Sequence, residues 1–277
     1  MPSLLRSVLA ACALATLACS ATPSNPAKPP VDPLPEPILD AAPADDARGG
    51  RLYDRWTAEA DVNVEGAQRL KNLYGWDMRG TEGIYGPAYQ NKSGVSTRNL
   101  LAAPQSEADL VAWLSAGDDE LPALGEHLGE ADLRDLAAFI AKMQRGDLPG
   151  PDAFFSLSAD APKHYVLVEG AEPAAGKALY ADACEHCHGA DGAQIQIDAT
   201  LSLGAFMRTK AYEGWFKVLN GHPGSTMGRE IAFDSADEAA RQTLGILAAL
   251  CDRDAFPPLP GQPDVPDGDP RCGAYLK

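Results

Sequence analysis

Cys184-Glu185-His186-Cys187-His188-Gly189 is the stretch whose chemistry constrains the rest of the chain. Two cysteines three apart, with a histidine directly after the second, form the attachment signature for c-type haem. Each thiol can add to one vinyl group of the macrocycle to give a thioether. The histidine beside the second thioether then sits under the iron as an axial ligand. Other readings of paired cysteines account for less of the pattern. A redox-active Cys-x-x-Cys has no use for the histidine. A zinc half-site needs a second ligand pair, and none follows at zinc-finger spacing. The expectation is one haem c, held covalently by Cys184 and Cys187, with His188 on the iron.

Such a group is attached outside the bacterial cytoplasm, and the N-terminus reads as an export signal over residues 1–19. Arg6 supplies a positive start, and Ser7 to Ala18 is an apolar run too short to span a bilayer. Leu17-Ala18-Cys19-Ser20 resembles a lipoprotein cleavage site, which would make Cys19 a lipidated N-terminus. Cleavage near Ser20 or Ala21 by an ordinary signal peptidase is the alternative. Leu9-Ala10-Ala11-Cys12 fits the lipoprotein pattern as well, with too little apolar chain before it. One acyl chain is a marginal anchor, so the several chains of a bacterial lipoprotein would be needed. The expected location is periplasmic, held to a membrane by lipid and not by a transmembrane helix. Residues 20–47 carry eight prolines from Pro23 to Pro43. They read as an extended tether with a reach on the order of 80 Å.

The bulk numbers bound the rest. A chain of 277 residues with 45% hydrophobic and 22% charged residues is globular, of one to three domains. A formal charge of −16 argues against nucleic acid as a partner. Of six cysteines, Cys12 and Cys19 belong to the export segment and Cys184 and Cys187 to the haem motif. Cys251 and Cys272 remain, in an oxidising compartment. A disulfide between them would staple the tail to the last helix; two free thiols is the alternative.

Helical patterns organise the two halves. In residues 48–147, Gly49 and Gly50 precede a segment from Arg51 to Trp56. Ser106-x-x-Asp109 starts a helix containing Leu110, Val111, Trp113 and Leu114. A further helix over 130–144 lines up Leu133, Leu136, Ala137, Phe139, Ile140 and Met143, and Gly146 and Pro149 stop it. Residues 148–172 read as a linker packed through Phe154, Phe155 and Tyr165, with a short strand around Tyr165 to Val168. In residues 173–252 a helix through Gly176 to Tyr180 runs into the haem motif. Ser235-x-x-Glu238 starts a last helix carrying Leu244, Leu247, Ala248 and Cys251. The tail, 253–277, is rich in Pro and Gly and is expected to lack regular structure.

This arrangement resembles the class I c-type cytochromes. There a first helix leads into Cys-x-x-Cys-His-Gly, loops wrap the haem, a methionine supplies the second axial ligand, and a last helix crosses the first. The resemblance implies an all-α fold. Asn220-Gly221-His222-Pro223-Gly224-Ser225-Thr226-Met227 looks like the family's methionine loop, which makes Met227 the implied distal ligand. The family usually has proline after that methionine, where this chain has Gly228. His222 is a competing ligand, and Met207 is a weaker one because it sits in an apolar stretch.

The first half aligns with the second. Gly49-x-x-x-Tyr53 matches Gly176-x-x-x-Tyr180. Leu70 falls on Cys184, Leu73 on Cys187, Tyr74 on His188, Gly75 on Gly189 and Leu121 on Met227. Every haem-holding position has changed, although the chain between Tyr53 and Leu70 is longer than its counterpart. The resemblance therefore implies two cytochrome c-like domains in tandem, the first emptied of haem. Leu70, Leu73, Leu121, Trp76, Tyr85 and Tyr89 are expected to fill the vacated volume. The implied function is single-electron transfer between redox proteins such as a dehydrogenase, an oxidase or another cytochrome. A haem-dependent small-molecule oxidoreductase with a weak or absent distal ligand is the enzymatic alternative. A structural subunit of a larger complex is a third. Trp215 and Tyr212 either line the haem pocket or pack the core. His186 is expected to be exposed, and His127 and His164 to lie at the surface or in packing. The acidic run Asp118-Asp119-Glu120 is a solvated loop or a docking site for a basic partner.

Overall fold

The computed structural model describes residues 42–277. Cys19, the export segment and most of the proposed tether lie outside that range. Pro43–Lys277 form one unit. It is mostly helical, with a single two-stranded ribbon.

The tether ends sooner than expected. Asp45 accepts a hydrogen bond from Arg48 N at 3.0 Å and caps α1, Asp46–Glu59. Gly49 and Gly50 therefore lie inside the helix and not ahead of it. Glycine in a helix costs about 1 kcal/mol against alanine, and here the close packing requires it. A Cβ on Gly49 would stand 2.0 Å from Asp135 O, and one on Gly50 would stand 2.3 Å from the Asn220 side chain. Asp135 belongs to α4, Glu130–Arg145, whose buried face carries Leu133, Leu136, Ala137, Phe139, Ile140 and Met143 as the periodicity predicts. Gly146, at φ 76°, ends it. Between these lie α2, Leu70–Tyr74, and α3, Glu107–Ala116, the latter capped by Ser106.

The second half repeats the plan. Helix α5, Pro173–Ala183, leads into α6, Glu185–His188, and α8, Ala236–Leu250, crosses back over α5. The crossing again needs a glycine: a Cβ on Gly176 would meet Gly245 O at 1.9 Å. Ser235 caps α8 through Glu238 N at 3.2 Å.

Between α6 and α8 runs α7, Leu203–Asn220, a helix that periodicity did not announce. Residues on nearly all its faces are buried, among them Phe206, Met207, Tyr212, Trp215, Phe216 and Leu219. A helix covered all round shows no apolar stripe.

The segment 148–172 is more than a linker. Strand β1, Phe155–Leu157, pairs antiparallel with β2, Tyr165–Leu167, with Ser156 opposite Val166. Phe154 stacks on Trp215 with ring centroids 5.0 Å apart, and Phe155 and Tyr165 both pack on Tyr212. These contacts place Trp215 and Tyr212 in the core.

The tail is likewise packed. A short 3-10 stretch runs over Pro270–Tyr275, and Phe256 is fully buried against Tyr180. Buried Arg208 donates to Asp264, Leu250 O and Phe256 O. Cys251 and Cys272 are joined as a disulfide. One hydrophobic cluster extends from Leu52 to Cys272, so the two halves share a core.

Candidate functional site

The short helix α6 carries the Cys-x-x-Cys-His run from Glu185 on, with Cys184 at its N-cap. Gly189 ends it at φ 80°, ψ 160°, a left-sided conformation that favours glycine. Tyr180 of α5 donates its hydroxyl to Gly189 O at 2.6 Å and ties the run to the first helix of its half. His188 is buried, whereas His186 and Cys187 are exposed and Cys184 is half-buried. Both cysteines are free thiols.

The fourth predicted residue arrives from α7. Gly221 ends that helix at φ 92°, and a Cβ there would stand 2.3 Å from Met227 O. The turn closes on itself: His222 N donates to Met227 O at 2.9 Å, and Met227 N donates to Ser225 Oγ at 3.2 Å. It presents Met227 to the same cavity that Cys184, Cys187 and His188 line, a space of about 380 Å³. Ile195, Ile197, Val218 and Ile231 give that cavity apolar walls. Ile195 is 43% exposed, a large apolar side chain facing open space. His222 also lines the cavity, with an exposed ring. Met207 is packed in α7, where its sulfur lies against Gly214.

The electrostatics follow from burial. Desolvation, helped by nearby His186, lowers the His188 pKa, so the ring is neutral at pH 7. Neutral imidazole is the metal-binding form. Its Nδ1 is sealed off without a hydrogen-bond partner, leaving Nε2 as the nitrogen able to serve as a ligand. Burial, then the charges of Glu230 and Cys187, push the Cys184 thiol up to about 11. A disulfide-exchange cysteine needs its pKa lowered, so Cys184 is poorly suited to that chemistry. No group of three or more His, Cys, Asp or Glu side chains that could hold a metal ion occurs among the described residues.

The same geometry recurs in the first half without the reactive groups. Tyr53 donates to Gly75 O at 2.6 Å, the counterpart of the Tyr180–Gly189 bond. Gly75 has φ 79°, ψ 165°, close to the values at Gly189. Asp118 N donates to Leu121 O at 2.8 Å, as His222 N does to Met227 O. A Cβ on Gly117 would stand 2.4 Å from Leu121 O, matching Gly221. Leu70, Leu73, Tyr74 and Leu121 are all buried.

Two of the expected fillers make contacts beyond the first half. Trp76 packs on Phe216 of α7, at 5.1 Å between centroids, and half-buried Tyr89 lies beside His164. The acidic run is a solvated loop, with Asp118, Asp119 and Glu120 all exposed, and it is held by hydrogen bonds. Asp118 accepts from Trp113 Nε1 and from the amides of Glu120 and Leu121, and Glu120 accepts from Ser96. His127 stacks on Trp56 at 5.7 Å.

Sequence reasoning missed the glycines that shape each loop. The signal was present in Ala116-Gly117 and Asn220-Gly221, each a glycine at a helix end before a short return. Comparison of the chain with family models, curated proteins and solved structures gave no match. No helix among the described residues is long and apolar enough to cross a membrane.

Proposed function

We propose that this chain is an exported, lipid-anchored c-type cytochrome carrying one haem in its second half, and that it passes single electrons between protein partners. The observation that carries the reading is the convergence of Cys184, Cys187, His188 and Met227 on one apolar cavity. The residues suit the group. Two free thiols stand in a helical turn beside a neutral imidazole. The cavity falls in the size range of cofactor sites, and its walls are largely aliphatic. When bound, haem with histidine and thioether ligands supplies a one-electron centre whose potential is raised by the thioether.

The chain's own residues would do the rest. Cys184 and Cys187 would hold the group covalently, so it cannot dissociate. The tie from Tyr180 to Gly189 would fix the position of α6 and with it the His188 ring. Ile195, Ile197, Val218 and Ile231 would exclude water and keep the local dielectric low. Exposed Cys187 and Ile195 mark the open edge, where a partner would approach. With His188 and Met227 both engaged, no position would be open to a substrate, which favours a carrier over an oxidoreductase.

The first half would be a copy that has lost its cofactor. The recurrence of the Tyr–Gly tie and of the glycine-gated loop supports common design, and buried Leu70, Leu73, Tyr74 and Leu121 occupy the corresponding positions. The test is a pyridine haemochrome count with oxidised and reduced spectra of the matured protein. One haem per chain and the far-red ferric band of thioether ligation are expected. Two haems per chain would refute the empty first half. One haem that lacks the band and binds small ligands would point to the enzyme.

A further inference from the structure

The loop that carries Met227 is held from outside as well as from within. Its internal hydrogen bonds set the shape of the turn from His222 to Met227, but they do not set where the turn sits. That position is fixed by α1 of the other half. On the entering side, Arg51 Nη1 donates to Asn220 O at 2.9 Å, and Asp54 holds Lys217 in a buried ion pair. At the tip, Gly224 N donates to Glu59 Oε2 at 3.1 Å. The backbone there lies so close to the helix that a Cβ on Gly224 would stand 2.8 Å from Ala58 O. On the leaving side, Arg229 Nη2 donates to Asp46 Oδ2 at 2.6 Å while its Nε holds Leu219 O at 2.8 Å.

The holding groups are themselves held. Glu59 Oε1 accepts from Arg51 Nε at 2.9 Å, with Arg48 Nε 3.7 Å away. Asp46 Oδ1 accepts from Lys142 of α4 at 2.6 Å. A straight helix would separate Arg51 and Glu59 by about 12 Å along its axis. A kink at Arg55, with φ −154° and ψ 80°, interrupts α1 between them. Asp46 and Glu59 lie at opposite ends of α1, so the one helix grips the loop on both sides of Met227.

We propose that α1 of the first half is a positioning strut for the Met227 loop, so that thioether coordination in the second half depends on the docking of the first. The proposal rests on Met227 being the distal ligand. It gives the half without a cofactor a local role, in which Asp46 and Glu59 are positioning residues that act through Arg229 and Gly224.

The experiment compares the matured full-length protein with Glu59→Ala, Glu59→Gln and Arg229→Gln. Three quantities are read: the far-red ferric band, the affinity for added imidazole, and amide exchange at Gly224. Removing a hydrogen bond to a charged acceptor loosens a contact by about tenfold in its equilibrium. Glu59→Ala is therefore expected to speed Gly224 exchange by roughly that factor, weaken the band and tighten imidazole binding by about tenfold. Glu59→Gln, which keeps an oxygen acceptor for Gly224 N, is expected to restore most of each. Arg229→Gln breaks the tie on the other flank and should act in the same direction, which keeps the test alive if Glu59→Ala fails to fold. Unchanged exchange and imidazole affinity in folded Glu59→Ala and Arg229→Gln would overturn the strut. Faster exchange with unchanged imidazole affinity would overturn it too, because the loop would then be held without consequence for the ligand. A parent protein that lacks the far-red band would refute the haem-site reading itself. That failure shows in the parent before any variant is compared.

Discussion

Leu121 and Met227 occupy matching places in two loops of the same geometry, and their surroundings differ. Each has its carbonyl bonded to the residue after a glycine that no other side chain could replace without a clash. Leu121 is fully buried, whereas Met227 is half-buried at the wall of a cavity. Truncation should therefore separate stability from ligation. Leu121→Ala removes core volume and is expected to cost about 2–5 kcal/mol in urea unfolding, with the visible spectrum of the matured protein unchanged. Met227→Ala is expected to abolish the far-red ferric band and open the site to imidazole. If Leu121→Ala altered the spectrum and Met227→Ala did not, the assignment of the two loops would be reversed. A second pair can be treated in the same way. Tyr53 and Tyr180 each donate to a glycine carbonyl at 2.6 Å. Replacing either with Phe strips that carbonyl of its partner and is expected to cost about 1–3 kcal/mol, measured by the same unfolding. Only Tyr180→Phe should also disturb the haem spectrum, because Gly189 follows His188 directly.

At the scale of the element, the legible parts of the sequence were those with one wet face and one dry face. Helix α4 showed its stripe and its glycine stop, and Ser106 and Ser235 marked the starts of α3 and α8. The motif on α6 stood out because its residues and spacing are those that the proposed covalent attachment would demand. Helix α7 was not readable, since a helix buried on nearly every side has no polar face to give it a period. Nor was the role of Gly49, Gly50 and Gly176. Gly49 and Gly50 resemble helix breakers in sequence, yet all three lie inside helices, where the backbones of Asp135 and Gly245 and the side chain of Asn220 pass within contact of the axis. The tail misled for a related reason. Its prolines and glycines suggest loose chain, but Phe256, Asp269 and Arg271 are buried and Arg208 reaches out of α7 to hold it. The disulfide adds to that anchoring. It closes a loop between positions 21 apart, for which chain entropy predicts about 3 kcal/mol of stabilisation. Reduction with a thiol reagent is expected to lower the thermal midpoint while leaving the haem in place, because thioethers are not reducible disulfides. Loss of haem on that treatment would contradict the attachment proposed for Cys184 and Cys187.

For the molecule as a whole, buried carboxylates join parts far apart in sequence, and this makes its response to acid predictable. Asp46 ties α1 to α4 through Lys142 and to the Met227 loop through Arg229. Burial by itself would raise its pKa, but the hydrogen bonds and charges of Lys142 and Arg229 outweigh burial and hold it below 3.8. Asp264, which fastens the tail to Arg208, and Asp269, which pairs with Arg271, are lowered against burial in the same manner. A carboxylate whose folded pKa lies below its unfolded value contributes stability that is fully present above the unfolded value. That contribution is lost as pH falls through the folded one. All three contributions are thus intact at neutral pH and disappear on acidification below about pH 4. Asp77 works in the opposite sense. Burial raises its pKa even though Ile84 N donates to it at 2.8 Å. Its charged form therefore costs stability at neutral pH, and protonation relieves that cost as the pH falls. Measured from pH 7 downward, unfolding free energy is expected to drop in the acid range more gently for Asp46→Asn than for the parent, because one of the lost contributions has already been removed. Asp77→Asn should drop more steeply, because the offsetting relief is gone. Parallel acid profiles for the parent and Asp46→Asn would mean that the bridge between the halves is not what acid breaks.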